Sequence, residues 1–183
     1  MLVIAGVVGT VANQLPWASD ILLYQNGLRF VPESSNLKDN LANALDARGR
    51  SEQAVALYRD VLLHDPGFLR SYCNLARVYL KRGRYGEAEQ VLLQAIRIDE
   101  SDSDQFILLA LAQWHQNKLN QAKRAAEFAI GKSPLTPGYH YVLGKILDTS
   151  GNRDQALAEF RRELTNHPND PLPKEEIRRL ESK

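Results

Sequence analysis

Residues 69–102 read LRSYCNLARVYLKRGRYGEAEQVLLQAIRIDESD, and the spacing of small and bulky residues in this stretch decides the fold. Numbered from 1 to 34, it places Leu75, Ala76, Tyr79, Gly83, Tyr85, Ala88, Leu92 and Ala95 at positions 7, 8, 11, 15, 17, 20, 24 and 27. The preceding 34 residues, 35–68, offer Leu41, Ala42, Leu45, Gly49, Ser51, Ala54, Tyr58 and Val61 in the same register. Residues 103–136 follow with Leu109, Ala110, Gln113, Asn117, Leu119, Ala122, Ala126 and Ala129, and residues 137–170 with Leu143, Gly144, Leu147, Gly151, Ala156 and Phe160. Each copy holds two apolar stretches at helical spacing, which predicts a pair of antiparallel helices. Small residues at positions 8 and 20 let the pair approach, and bulky ones at 7, 11 and 24 fill the seam. Gly83 and Gly151 stand where the first helix must end in a left-handed cap, and Asn117 takes the same place as the other residue that tolerates it. Asp65-Pro66, Ser133-Pro134 and His167-Pro168 stop the second helix. The copy at 69–102 ends in Asp99-Glu100 without a proline, so its second helix is expected to run on slightly.

In repeat length and in this pattern, residues 35–170 resemble the tetratricopeptide repeat family. The resemblance implies an all-α fold, a right-handed α-solenoid of antiparallel helix pairs. Four repeats are expected, at 35–68, 69–102, 103–136 and 137–170, preceded at 16–34 by a leading helix or half repeat. Tyr24 and Pro32 fall on positions 24 and 32 of the same frame. Residues 171–183, with Leu172, Ile177 and Leu180 among charged neighbours, read as a capping helix over the open end.

Residues 1–15 differ from the rest. Met1 to Ala12 contains only Thr10 as a polar side chain, which suggests lipid. As a helix, so short a run rises about half of the ~30 Å hydrocarbon layer. Three readings compete: the tail of a transmembrane helix that begins outside the chain, a signal-peptide core, and a buried helix of a degenerate first repeat. The absence of Lys or Arg before the run weakens the signal-peptide reading. The membrane helix is preferred, giving a membrane-associated location with a cytoplasmic one as the alternative. Trp17 has the amphipathic character of an interfacial anchor, and a ring covering the solenoid end is the other role for it. A second resemblance rests on Trp17-x-x-Asp20-x-x-Leu23-Tyr24, Pro32 and Asn40-Leu41-Ala42. It is to multi-pass membrane proteins of the O-mannosyltransferase-like kind, which carry such repeats at their C-terminal end. It implies that the chain is a regulatory or substrate-presenting tail of a membrane glycosyltransferase-like enzyme, and it transfers no catalytic residue.

The formal net charge is +1 and charges of both signs alternate, so the basic face that nucleic acid demands is missing and no nucleic-acid partner is expected. The single cysteine, Cys73, excludes an internal disulfide. His64, His115, His140 and His167 are scattered over the repeats without the i, i+4 spacing of metal ligands, and they read as surface or packing residues. No metal and no cofactor are expected. Gly6 and Gly9 lack the lysine of a phosphate loop. The pairs Glu87 and Glu89, and Glu159 and Glu163, read as solvated helix faces rather than as an acid and its base. The chain is read as no enzyme but as a protein-interaction scaffold.

The family's geometry places positions 2, 5, 6, 9, 12 and 13 of each repeat on a concave groove. Here they supply Asn40, Asn43, Asn74, Arg77 and Lys81, whose amides and cations suit an extended peptide backbone or an acidic side chain. Further along the groove turns apolar through Ile107, Leu108, Leu111, Trp114 and Tyr141. Leu111, Trp114 and Tyr141 are the candidate anchors, unless the C-terminal helix folds back over them. The family's carboxylate clamp is only half present. Asn43 and Asn74 match it, but Asp39, Asp104 and Leu108 stand where basic residues are needed, and Asp39 would repel a terminal carboxylate.

Overall fold

The structure, a computed structural model, describes residues 16–182, with side chains from Asp20 onward. Met1 to Leu15 and the indole of Trp17 lie outside what is described, and with them the readings of the apolar segment. The chain divides into two compact units, Met1–Asp65 and Pro66–Lys183. All regular elements among the described residues are α-helices.

The first unit holds α1 (Pro16–Phe30), α2 (Ser35–Ala47) and α3 (Ser51–His64). Gly27 of α1 faces Leu37 of α2, where even a methyl group would sit 3.0 Å from Leu37 Cδ1. The absence of a side chain there brings the two helices together. Ser34 caps α2 by accepting the Leu37 amide at 3.4 Å. α2 packs on α3, and Leu41, Ala42 and Leu45 of the one and Ala54, Tyr58 and Val61 of the other are all buried. Burial of each large side chain contributes about 1.5–3 kcal/mol.

The second unit runs α4 (Leu69–Lys81), α5 (Tyr85–Ile98), α6 (Ser103–His115), α7 (Leu119–Lys132), α8 (Tyr139–Thr149), α9 (Arg153–Asn166) and α10 (Pro171–Glu181). Consecutive helices pair, and α6 also touches α4 before it and α8 after it. Ala76, Ala88, Ala110, Ala122 and Ala156, all at positions 8 and 20, have no exposed surface. Four first helices, α2 included, end alike. Gly49, Gly83, Asn117 and Gly151 take φ of 75, 70, 61 and 81°. In each, the amide that follows turns back onto the last turn of the helix, as Arg84 N does to Tyr79 O at 2.9 Å and Lys118 N to Gln113 O at 2.9 Å.

Two expectations are corrected here. α5 does not run on but stops at Ile98, in register with the ends of α3, α7 and α9. Asp99 does the work of the missing proline, since its carboxylate accepts Ser101 N at 2.8 Å and Ser101 Oγ at 2.9 Å and turns the chain. Glu159 and Glu163 are not solvated. Glu163 is wholly buried and accepts from Gly138 N at 2.8 Å, Tyr141 N at 3.3 Å and His167 Nδ1 at 2.8 Å. α8 begins after Gly138 with no side-chain cap of its own, and the carboxylate from α9 takes its exposed amides. Glu159, also buried, meets His140 Nδ1 at 2.7 Å and Arg162 at 2.6 Å.

Candidate peptide-binding surface

Ties between side chains join the first helices of the second unit into one face. Arg77 Nη2 of α4 donates to Asp104 Oδ2 of α6 at 3.0 Å, and Tyr139 of α8 donates to Asp104 Oδ1 at 2.6 Å. That phenol is pushed up to about 12, first by burial and then by the hydrogen bond to the Asp104 carboxylate. Trp114 Nε1 of α6 donates to Thr149 Oγ1 of α8 at 2.9 Å. Lys145 of α8 meets Glu176 of α10 at 2.6 Å.

On this face Leu111, Trp114 and Tyr141 are half-buried, and Asn74 is half-buried beside the exposed Arg77 and Lys81. Ile107 and Leu108 are buried, so the apolar strip is narrower than its sequence suggests. Trp114 is braced twice, by Thr149 and by the His115 ring at 4.9 Å, which in turn stacks on Tyr85 at 4.4 Å. Tyr141 leans on Phe160 at 5.7 Å, and burial raises its phenol above the ordinary value. Cys73 is buried, and its thiol is pushed up to about 11, mainly by burial and then by Asp102. It is no nucleophile in the neutral range.

In the first unit Asn40 is half-buried. Asn43 spends its amide locally: Nδ2 donates to Asp39 O at 3.1 Å and Oδ2 at 3.2 Å, and Oδ1 accepts from Tyr58 at 2.8 Å. Its position in the sequence pattern gave no sign of this, because Tyr58 lies on the neighbouring helix. Thr149 escaped the sequence reading too, although position 13 of the frame placed it on the same face. α10 lies along α9 and reaches α8 through Lys145 and Asp148.

No three His, Cys, Asp or Glu side chains gather into a metal-binding group among the described residues. No described helix is long and apolar enough to cross a membrane.

Two family profiles described as tetratricopeptide repeat match this chain, over residues 47–112 and 107–171. Among curated proteins, human protein O-mannosyl-transferase TMTC1 is 29% identical over 163 residues, covering 87% of this chain and 18% of that protein. Human general transcription factor 3C polypeptide 3 is 24% identical over 123 residues, 67% of this chain and 14% of that protein. The chain thus spans less than a fifth of either relative. A thermophilic tetratricopeptide repeat protein of Thermus thermophilus superimposes with a TM-score of 0.77 at 18% identity, covering 91% of each chain. MamA from Desulfovibrio magneticus RS-1 does so with a TM-score of 0.75 at 20% identity, covering 85% of this chain and 88% of that one. These structural likenesses concern the fold alone.

Proposed function

The chain belongs to the tetratricopeptide repeat family, whose repeats serve as protein-interaction scaffolds, and from that premise we propose that the face of α4, α6 and α8 grips an extended segment of a partner protein. Leu111, Trp114 and Tyr141 receive the segment's apolar side chains. Asn74, Arg77 and Lys81 hold its backbone or an acidic side chain; in the first unit, taken by itself, Asn40 is a separate candidate contact, and Asn43 orders its own surroundings through Asp39 and Tyr58. The observation that carries this reading is the Trp114 indole, half-exposed yet fixed by Thr149 at 2.9 Å. A ring that keeps one orientation before binding loses little rotational freedom on contact, which is what an anchor requires. With a partner segment selected on a peptide array, Trp114→Ala should weaken binding about thirtyfold, corresponding to about 2 kcal/mol, with little change in melting temperature. Unchanged affinity sinks the proposal, and a sharp fall in melting temperature makes the indole a structural part.

A second reading has its own support in the relatives named O-mannosyl-transferase. In it, these repeats are the partner-presenting part of a longer membrane enzyme, and Met1 to Ala12 belongs to lipid. Flotation with liposomes tests this: residues 1–183 should float and residues 16–183 should stay in the dense fraction. Equal behaviour of the two removes the membrane reading.

A further inference from the structure

The second unit carries another concavity, on a different side of α6. Phe106, Leu109 and Gln113 lie at i, i+3 and i+7, one stripe of that helix. Leu111 and Trp114 belong to the opposite stripe. Together with Leu93 of α5 and Phe128 of α7, the first stripe lines an open cleft of about 550 Å³. That size suits one or two large side chains. Leu93 is 37% and Phe128 43% exposed, so apolar surface stands in water at the mouth. The Phe128 ring packs on Phe106 at 4.2 Å and is thereby held in place.

The charges around the cleft are unequal. Glu89 at one end is satisfied by Lys118 at 2.5 Å, Gln116 at 2.9 Å and Gln113 at 3.2 Å. Burial pushes its carboxyl up, and these three donors outweigh that and hold it below its ordinary value. Lys123 is turned to Glu127 at 3.7 Å, and Lys132 lies over the Phe128 ring at 5.1 Å. Arg124 on the wall makes no ion pair among the described residues. The cleft is therefore apolar with one uncompensated guanidinium, a planar fork that matches a carboxylate in two parallel hydrogen bonds.

We propose that this cleft is a second docking site, for a segment of a partner protein that presents an aromatic or aliphatic side chain next to a Glu or Asp. The apolar side chain fills the space between Leu93 and Phe128, and the carboxylate meets Arg124. The open mouth admits a protein segment, and the site is independent of the α4, α6 and α8 face.

The test is a titration of the full chain, isotope-labelled for amide spectra, with N-acetyl-Glu-Phe-Leu-amide and with its Gln counterpart. Saturable shifts are expected around Leu93, Phe106 and Phe128, with the Gln peptide about fivefold weaker. Arg124→Gln should make the two peptides equal without moving the melting temperature, because its side chain holds nothing else. Phe128→Ala should weaken both peptides, and Trp114→Ala should change neither titration. Absence of saturable shifts, shifts centred on Asn74 and Leu111, equal affinity of both peptides for the parent, or indifference to Phe128→Ala would each overturn the proposal.

Discussion

Gly144 occupies position 8 of its repeat, where the three preceding copies have alanine. A Cβ built there would lie 2.5 Å from Phe160 Cε1 and 2.7 Å from its Cδ1. Phe160 is fully buried and packed on Tyr141, so it has little room to retreat. Gly144→Ala should therefore destabilise the protein by about 1–3 kcal/mol, read as a lower melting temperature. Adding Phe160→Leu should return part of that loss, and no loss in the single variant would refute the contact. The same scale shows what the sequence could not disclose. Alanines and glycines at fixed offsets announced their own packing, because a small residue in an amphipathic helix has few other uses. Glu163 announced nothing. A glutamate in a row of arginines reads as surface, and only the neighbouring helix start, bare of a cap, makes burial of that carboxylate favourable.

At the scale of elements, α10 is attached by charge as well as by apolar contact. Leu180 and Pro173 are buried, Glu176 receives Lys145 at 2.6 Å and Arg179 at 2.8 Å, Arg179 also meets Asp148, and Arg153 reaches the Leu180 carbonyl. Burial raises the Glu176 carboxyl, and the hydrogen bonds from Lys145 and Arg179 outweigh it, leaving it below its ordinary value. A carboxyl held low in the folded state adds stability above its unfolded value of about 4.3, and that contribution fades as the pH falls through the lowered folded value. Glu176→Gln should thus lower the melting temperature at pH 7 and by less in acid, the gap narrowing as the pH falls through the lowered folded value. An equal difference at pH 7 and in acid would show that the pairing is idle. A helix over this stretch was legible, because Leu172, Ile177 and Leu180 alternate with charges at helical spacing. Its partners were not, since they come from a helix about 30 residues away in the chain. The cleft beside Arg124 was hidden for the same reason: each of its three helices contributes residues that look like ordinary turns of an amphipathic pattern.

For the whole molecule, the division into two compact units gives a separate expectation for each. The second unit has seven helices among its described residues and a continuous run of buried alanine, leucine and aromatic contacts, so residues 66–183 should fold alone. Circular dichroism of that fragment should show a helical protein with one cooperative thermal transition. A fragment without such a transition would mean that its core depends on residues before Pro66. Helix starts ordinarily fray, and their amide protons trade with solvent within moments. The buried carboxylate of Glu163 reverses this for one of them. Gly138 and Tyr141 donate into a group that water does not reach, so releasing either proton requires α9 to part from α8. In deuterated solvent these two amides should be among the late ones to exchange, and Glu163→Gln should move them to the early ones. One of the slow clocks in the array would then be read at the beginning of a helix, not at its middle.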